Sequence, residues 1–116
     1  MNHEYPLISC ICVTYRKPAL LERAIRCFES QTYPNKELVI LYEDHDEPTV
    51  TYITGHTFSP GIRCICTPGN PKKTLGELRN IANNAAKGEF LCQWDDDDWY
   101  HPSRLTFRAR VHVSET

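Results

Sequence analysis

Four consecutive aspartates, Asp95 to Asp98, stand between Trp94 and Trp99, directly after the apolar run Phe90-Leu91-Cys92 and shortly before Pro102. Two carboxylates roughly 6 Å apart repel by about 3 kcal/mol at an effective dielectric near 20, but by under about 1 kcal/mol in bulk water. Indoles on both flanks place the run beside apolar bulk, where that repulsion calls for a compensating cation. Hard carboxylate oxygens favour Mg²⁺, Mn²⁺ or Ca²⁺ over softer metals. A solvated acidic turn is the plainer reading, because charge runs are commonly exposed loops. One specific rival fails on spacing. A calcium EF-hand counted from Asp95 needs Asp or Asn at the fifth position, Gly at the sixth and Glu at the twelfth, where this chain has Trp99, Tyr100 and Thr106. Neither a phosphate-cradling P-loop run nor the dinucleotide glycine fingerprint is present. Carboxylates holding a divalent ion that clamps a diphosphate are the simplest chemistry left, since Mg²⁺ is usually bound through one or two carboxylates plus substrate phosphates.

The elements that position this run follow from the apolar pattern. Leu7 to Val13 is a continuous apolar run of the kind buried on both faces of a parallel sheet. Pro18 fits a first helical turn, Leu20, Leu21, Ala24, Ile25 and Phe28 recur at helical spacing, and the helix stops near Gln31. Glu37 to Tyr42 reads as a second buried strand, Glu43 to Pro48 as a polar loop, and residues 49–60 as poorly patterned, with no element expected there. Ile62 to Cys66 is a third strand. Thr74 caps a helix whose stripe is Leu75, Leu78, Ile81, Ala82 and Ala85, with Lys87-Gly88 as its stop. Phe90 to Trp94 is a fourth strand, and a last helix is expected from about Pro102, carrying Leu105, Ala109 and Val113. This alternation specifies an α/β class of three layers, a mostly parallel four-stranded sheet with helices on both faces. Its ligand crevice lies outside the strands' carboxyl ends. Thr14-Tyr15-Arg16, Glu43-Asp44 and Asp95 to Asp98 all fall at that edge, which weighs against a merely solvated turn.

At 116 residues the chain is sized for a single domain, burying roughly two thirds of its unfolded surface. Thirteen basic against fifteen acidic residues leave a net charge of −2, so no positive field argues for nucleic acid or an anionic membrane, and an anion must be held locally. Cys10, Cys12, Cys64, Cys66 and Cys92 lie in apolar strand-like runs and read as buried reduced thiols rather than a disulfide framework or a zinc site. No secretory signal is apparent, and apolar stretches fall far short of the roughly 20 residues that span a bilayer. The expectation is a cytoplasmic protein without a transmembrane segment.

The blocks Ile8 to Pro18, Ser30-Gln31-Thr32-Tyr33-Pro34-Asn35, Glu37 to Asp44, Leu78-Arg79-Asn80-Ile81-Ala82 and Asp95 to Leu105 resemble, in order and spacing, family 2 glycosyltransferases of the GT-A fold. The resemblance implies a nucleotide diphosphate-sugar donor, a saccharide or lipid-linked acceptor, a Mn²⁺ or Mg²⁺ cofactor and inverting transfer. By position it implies that Thr14, Tyr15 and Arg16 line the nucleotide pocket, Glu43 and Asp44 accept hydrogen bonds from the base, and Arg79 supports that pocket. Asp95-x-Asp97 matches the DXD pair as metal ligands, with Asp96 at the ribose. Asp98 is an acceptor behind the ligands or a cap. Trp94 and Trp99 are expected to pack, and Lys72 and Lys73 either meet a phosphate or are solvated. Two departures stand out. Glu43 occupies a position where the family usually has Asp, so Asp44 is the alternative base contact. The family also continues beyond the DXD motif with the acceptor-binding part and the catalytic base, so residues 1–116 read as one donor-binding domain truncated at its C-terminal side, with the base expected beyond Thr116. The competing readings are a metal-dependent nucleotidyl- or phosphohydrolase and a non-catalytic nucleotide-binding module.

Overall fold

Apolar runs without polar alternation can lie in a sheet only when both of its faces are covered, and the chain supplies the cover between its strands. The computed structural model describes residues 5–106. Its elements are β1 (Ile8–Val13), α1 (Pro18–Glu29), β2 (Lys36–Glu43), α2 (Glu47–Thr54), β3 (Ile62–Thr67), α3 (Leu75–Ala85) and β4 (Phe90–Gln93). The sheet is wholly parallel, in the order β3-β2-β1-β4. Cys10 therefore sits between Leu38 and Cys92 in register.

α1 covers one face. Pro18 opens it where a missing N–H is harmless, and Leu21, Ala24, Ile25, Cys27 and Phe28 form its buried stripe. They join Ile8, Cys10, Cys12, Leu38, Ile40 and Trp94 in the larger core. α3 covers the other face, packing Leu78 and Ala82 on Ile11, Val39 and Leu41. Its start is fixed by a capping box: Glu77 N–H donates to Thr74 Oγ1 at 3.1 Å and Thr74 N–H to Glu77 Oε1 at 3.0 Å. Its far end is clamped to the sheet by a buried polar cluster. Glu37 accepts from the Ser9 hydroxyl, from Arg63 Nε and Nη2 at 3.2 and 3.1 Å, and from Lys87 N–H at 2.7 Å. Arg63 also donates to the Ala85 carbonyl at 2.6 Å. Burial alone would raise the Glu37 carboxyl, but these hydrogen bonds and the Arg63 charge more than offset it and hold the group below the ordinary glutamate range. Gly88 passes so close that an added Cβ would lie 2.5 Å from Ser9 Oγ and 2.7 Å from the Leu7 carbonyl.

Four expectations need correction. Residues 49–60 are not without an element, because α2 occupies Glu47–Thr54. Its sequence, EPTVTYIT, is rich in β-branched residues that form helices poorly; the helix is specified instead by the Asp46 cap, Glu47 in its first turn and Pro48 near its start. The fourth strand ends at Gln93, one residue short of Trp94. Cys66, on the edge strand β3, is exposed rather than buried. Trp99 is 65% exposed, whereas Trp94 is wholly buried. Of the last expected helix, residues 104–106 are helical and Leu105 is buried; Ala109 and Val113 lie outside the described residues.

Candidate functional site

Because all four strands run parallel, their carboxyl ends share one edge, and across it the loops follow the order of the strands. Each neighbouring pair of loops is joined by a hydrogen bond to an aspartate. Gly69 N–H, after β3, donates to Asp44 Oδ1, after β2, at 3.0 Å. Arg16 N–H, after β1, donates to Asp46 Oδ2, after β2, at 2.7 Å. The Thr14 hydroxyl, after β1, donates to Asp96 Oδ2, after β4, at 2.7 Å. Gly69 approaches the His45 ring so closely that a Cβ there would collide with it.

The acidic run is rooted by Trp94. Its backbone N–H donates to the Ile11 carbonyl at 2.8 Å, prolonging the β1–β4 pairing by one bond. Its indole N–H donates to the Ala24 carbonyl at 3.0 Å, with Tyr100 stacked at 4.0 Å and Phe28 edge-on at 6.4 Å. A tryptophan buried this way holds the run against α1, and truncating such a ring costs about 3–5 kcal/mol. Tyr100 returns from the run and accepts Asp95 N–H on its hydroxyl at 2.9 Å. Burial is the main reason its phenol is pushed up to about 12; the Asp95 N–H opposes this, while the Asp95 and Asp98 charges reinforce it. Beyond it, buried Gln31 donates to the His101 carbonyl at 2.8 Å and accepts Leu105 N–H at 3.1 Å.

Between these anchors the chain turns, with Asp98 N–H reaching back toward the Asp95 carbonyl at 3.4 Å. A turn of this kind brings its first and fourth residues together. One carboxylate oxygen from each of Asp95, Asp97 and Asp98 falls within 4.8 Å of the others. Asp96 points the other way, to Thr14. Asp95 is half-buried and accepts from Gln93 Nε2 at 3.0 Å, while Asp97 and Asp98 are exposed.

The other expected residues are placed as follows. Thr14 is buried, its hydroxyl engaged by Asp96, so it links two loops. Tyr15 and Arg16 are exposed at the crevice, with the guanidinium carbon 6.0 Å from the Tyr15 ring centroid. Glu43 is half-buried with its carboxylate 3.7 Å from His45 Nε2, and Asp44 is exposed. Arg79 is half-buried on α3, its Nε buried with no hydrogen-bond partner among the described residues. Lys73 donates to the Pro68 carbonyl and Lys72 is exposed. Sequence reasoning places Asp46 at this edge only as a spare acidic group of the polar loop after β2 and misses its cap on α2; it assigns Tyr100 no part in this edge. For Asp46 a signal existed, Asp-Glu-Pro-Thr being a helix start; for Tyr100 there was none short of the folded turn.

Solved structures of the GT-A fold superpose on this parallel four-stranded sheet with its flanking helices. The chain matches the model of glycosyl transferase family 2 over residues 9–107 and belongs to that family, a family of enzymes. It is similar to the Escherichia coli UDP-Glc:alpha-D-GlcNAc-diphosphoundecaprenol beta-1,3-glucosyltransferase WfaP, with 28% identity over 110 residues, 95% of this chain and 42% of that protein. S. aureus TarS 1-349 superposes with a TM-score of 0.75 at 21% identity, over 93% of this chain and 32% of that one. The mannosyltransferase PcManGT from Pyrobaculum calidifontis, in complex with GDP-Man and Mn²⁺, superposes at 0.69 with 22% identity, over 91% and 31%. The chain thus spans under half the length of the curated relatives it matches. Among the described residues, no helix is long and apolar enough to cross a membrane.

Proposed function

We propose that this chain is the donor-binding part of a family 2 glycosyltransferase, taking a nucleotide diphosphate-sugar together with Mn²⁺ or Mg²⁺. The observation that carries the reading is the convergence of three carboxylate oxygens within 4.8 Å at the end of β4. Three hard anionic donors fit such an ion, which needs only one or two carboxylates and completes its shell with phosphate and water. When bound, the cation supplies neutralisation of the diphosphate leaving group. Asp95, Asp97 and Asp98 hold it, so Asp98 joins the expected pair. Asp96, one oxygen taken by Thr14, offers the other to the ribose. Tyr15 and Arg16 flank the nucleotide, and Glu43 and Asp44 meet the base. Arg79, whose buried Nε has no partner among the described residues, supports the pocket. PcManGT with GDP-Man and Mn²⁺ supports both ligand classes by likeness of fold, and TarS with UDP-GlcNAc supports the nucleotide sugar.

Transfer, of the inverting kind, needs more than these residues. Neither spare carboxylate is suited to act as base, because Asp46 is fully buried and hydrogen-bonded and Asp44 is engaged by Gly69. In this reading the acceptor-binding part and the base belong to a longer protein of which this chain is one part, in keeping with the share of its relatives that the chain spans. A saccharide or lipid-linked acceptor is in line with the name of the WfaP relative. Six cysteines standing as thiols suit the reducing cytoplasm.

Differential melting with Mn²⁺, with UDP or GDP, and with both tests the shared site, because a ligand of the folded state raises stability by mass action. The pair is expected to stabilise more than the sum of its parts, and Asp97→Asn to abolish that excess while leaving the melt without ligand in place. Additive shifts in the wild type refute the reading.

A further inference from the structure

Two helices of this chain start with the same device in different surroundings. α3 is capped by Thr74, exposed and neutral, whose hydroxyl takes Glu77 N–H at 3.1 Å. α2 is capped by Asp46, which is charged and 0% exposed, and which takes Thr49 N–H at 3.3 Å and the Thr49 hydroxyl at 2.7 Å. Withdrawing a carboxylate wholly from water costs far more than a helix cap returns. Among the described residues no salt bridge reaches Asp46. Capping therefore does not account for a buried charge where a hydroxyl suffices elsewhere in the same chain.

The second group held by Asp46 is in another loop. Its Oδ2 accepts Arg16 N–H at 2.7 Å. Arg16 has φ 53°, the left-handed region that penalises any residue with a Cβ and persists only where the surroundings hold it. This bend lies between Tyr15 and the start of α1, so it sets the direction in which the exposed Tyr15 and Arg16 side chains leave the backbone. The geometry points to Asp46 as a positioning residue of the nucleotide pocket, which holds the left-handed turn at Arg16 and so presents Tyr15 and Arg16 to the donor nucleotide. It touches no ligand itself. This inference rests on the functional reading above and adds a residue that acts through another loop.

Asp46→Thr separates the two duties of this carboxylate. A threonine keeps a hydroxyl cap of the Thr74 kind on α2 but withdraws the oxygen that reaches Arg16. Thr49→Val removes the hydroxyl that shares Oδ2 and leaves the Thr49 N–H cap and the Arg16 bond in place. Calorimetry with UDP at saturating Mn²⁺, and with Mn²⁺ alone, is run on the chain at a temperature where circular dichroism shows it folded. Asp46→Thr is expected to weaken UDP by about tenfold, or 1.4 kcal/mol, with Mn²⁺ affinity unmoved. Thr49→Val is expected to lower the melting temperature with UDP affinity retained. A folded Asp46→Thr with wild-type UDP affinity overturns the inference, because Asp46 is then a cap only. Should Asp46→Thr not fold, amide exchange in the wild type decides: the Arg16 N–H is expected to be protected, and exchange as fast as in open loops overturns the proposal. A wild type that binds neither UDP nor GDP refutes the functional reading itself, and the inference with it.

Discussion

Thr14→Val removes one hydroxyl and nearly no volume, so it isolates the bond that links the β1 loop to the acidic turn. The Thr14 side chain is buried and donates to Asp96 Oδ2 at 2.7 Å. A hydrogen bond to a charged group contributes about 1.5–3 kcal/mol. Asp96 is half-buried and regains part of its hydration once released, which places the loss at the lower end, about 1.5 kcal/mol. For a domain near this size that corresponds to a fall of about 6 °C in melting temperature. Urea unfolding of the wild type, Thr14→Val, Asp96→Ala and the double variant closes a cycle, with an expected coupling of about 1.5 kcal/mol. Coupling within about 0.5 kcal/mol of zero would show that the two loops are not joined through this bond, and the linked edge described above would lose the member that ties in the acidic turn.

Two further outcomes follow from the titrating groups. Glu37 has a folded pKa below its unfolded value, so its contribution is complete above about pH 4.3 and is lost as pH falls through the lowered folded value; Glu37→Gln is expected to flatten that acid limb, as read by urea midpoints across the range. The Cys10 thiol is raised by its hydrogen bond with Cys92 and by burial, and Cys12 by burial and then by the charges of Asp96 and Asp95. A thiol reagent is therefore expected to modify exposed Cys66 first and to reach Cys10 and Cys12 only on unfolding; mass mapping that finds Cys12 labelled in the native protein refutes this.

Much of the architecture was legible because its elements carry redundant signals. β1 is apolar but for Ser9, β2 carries the apolar run Leu38 to Tyr42, α1 has Pro18 and a stripe, and α3 has both a stripe and a capping box. α2 has only the signals of its start, Asp46, Glu47 and Pro48, and its Thr, Val and Ile residues are as much at home in a strand. At the site, the convergence of three loops follows from parallel topology alone, but the division of labour within the acidic run does not. Consecutive aspartates look alike until a turn faces Asp95, Asp97 and Asp98 one way and Asp96 the other. The fates of the two tryptophans were partly readable: Cys92 and Trp94, two apart, continue one buried face of β4 past its end, whereas Trp99 lies beyond the turn and keeps no such alternation.

The strand order β3-β2-β1-β4 also has a consequence in time. Among the described strands β1 leaves the ribosome before the others, yet one of its flanks is filled by the fourth, with Ile8 paired to Phe90. Until residues 90–93 emerge, an apolar strand shows a row of unanswered N–H and C=O groups, the kind of edge that recruits other chains. The step that covers this edge also delivers Asp96 to Thr14 and sets the remaining aspartates at the crevice. A nascent chain of this protein therefore covers the open flank of β1 and gains its acidic turn in the same event.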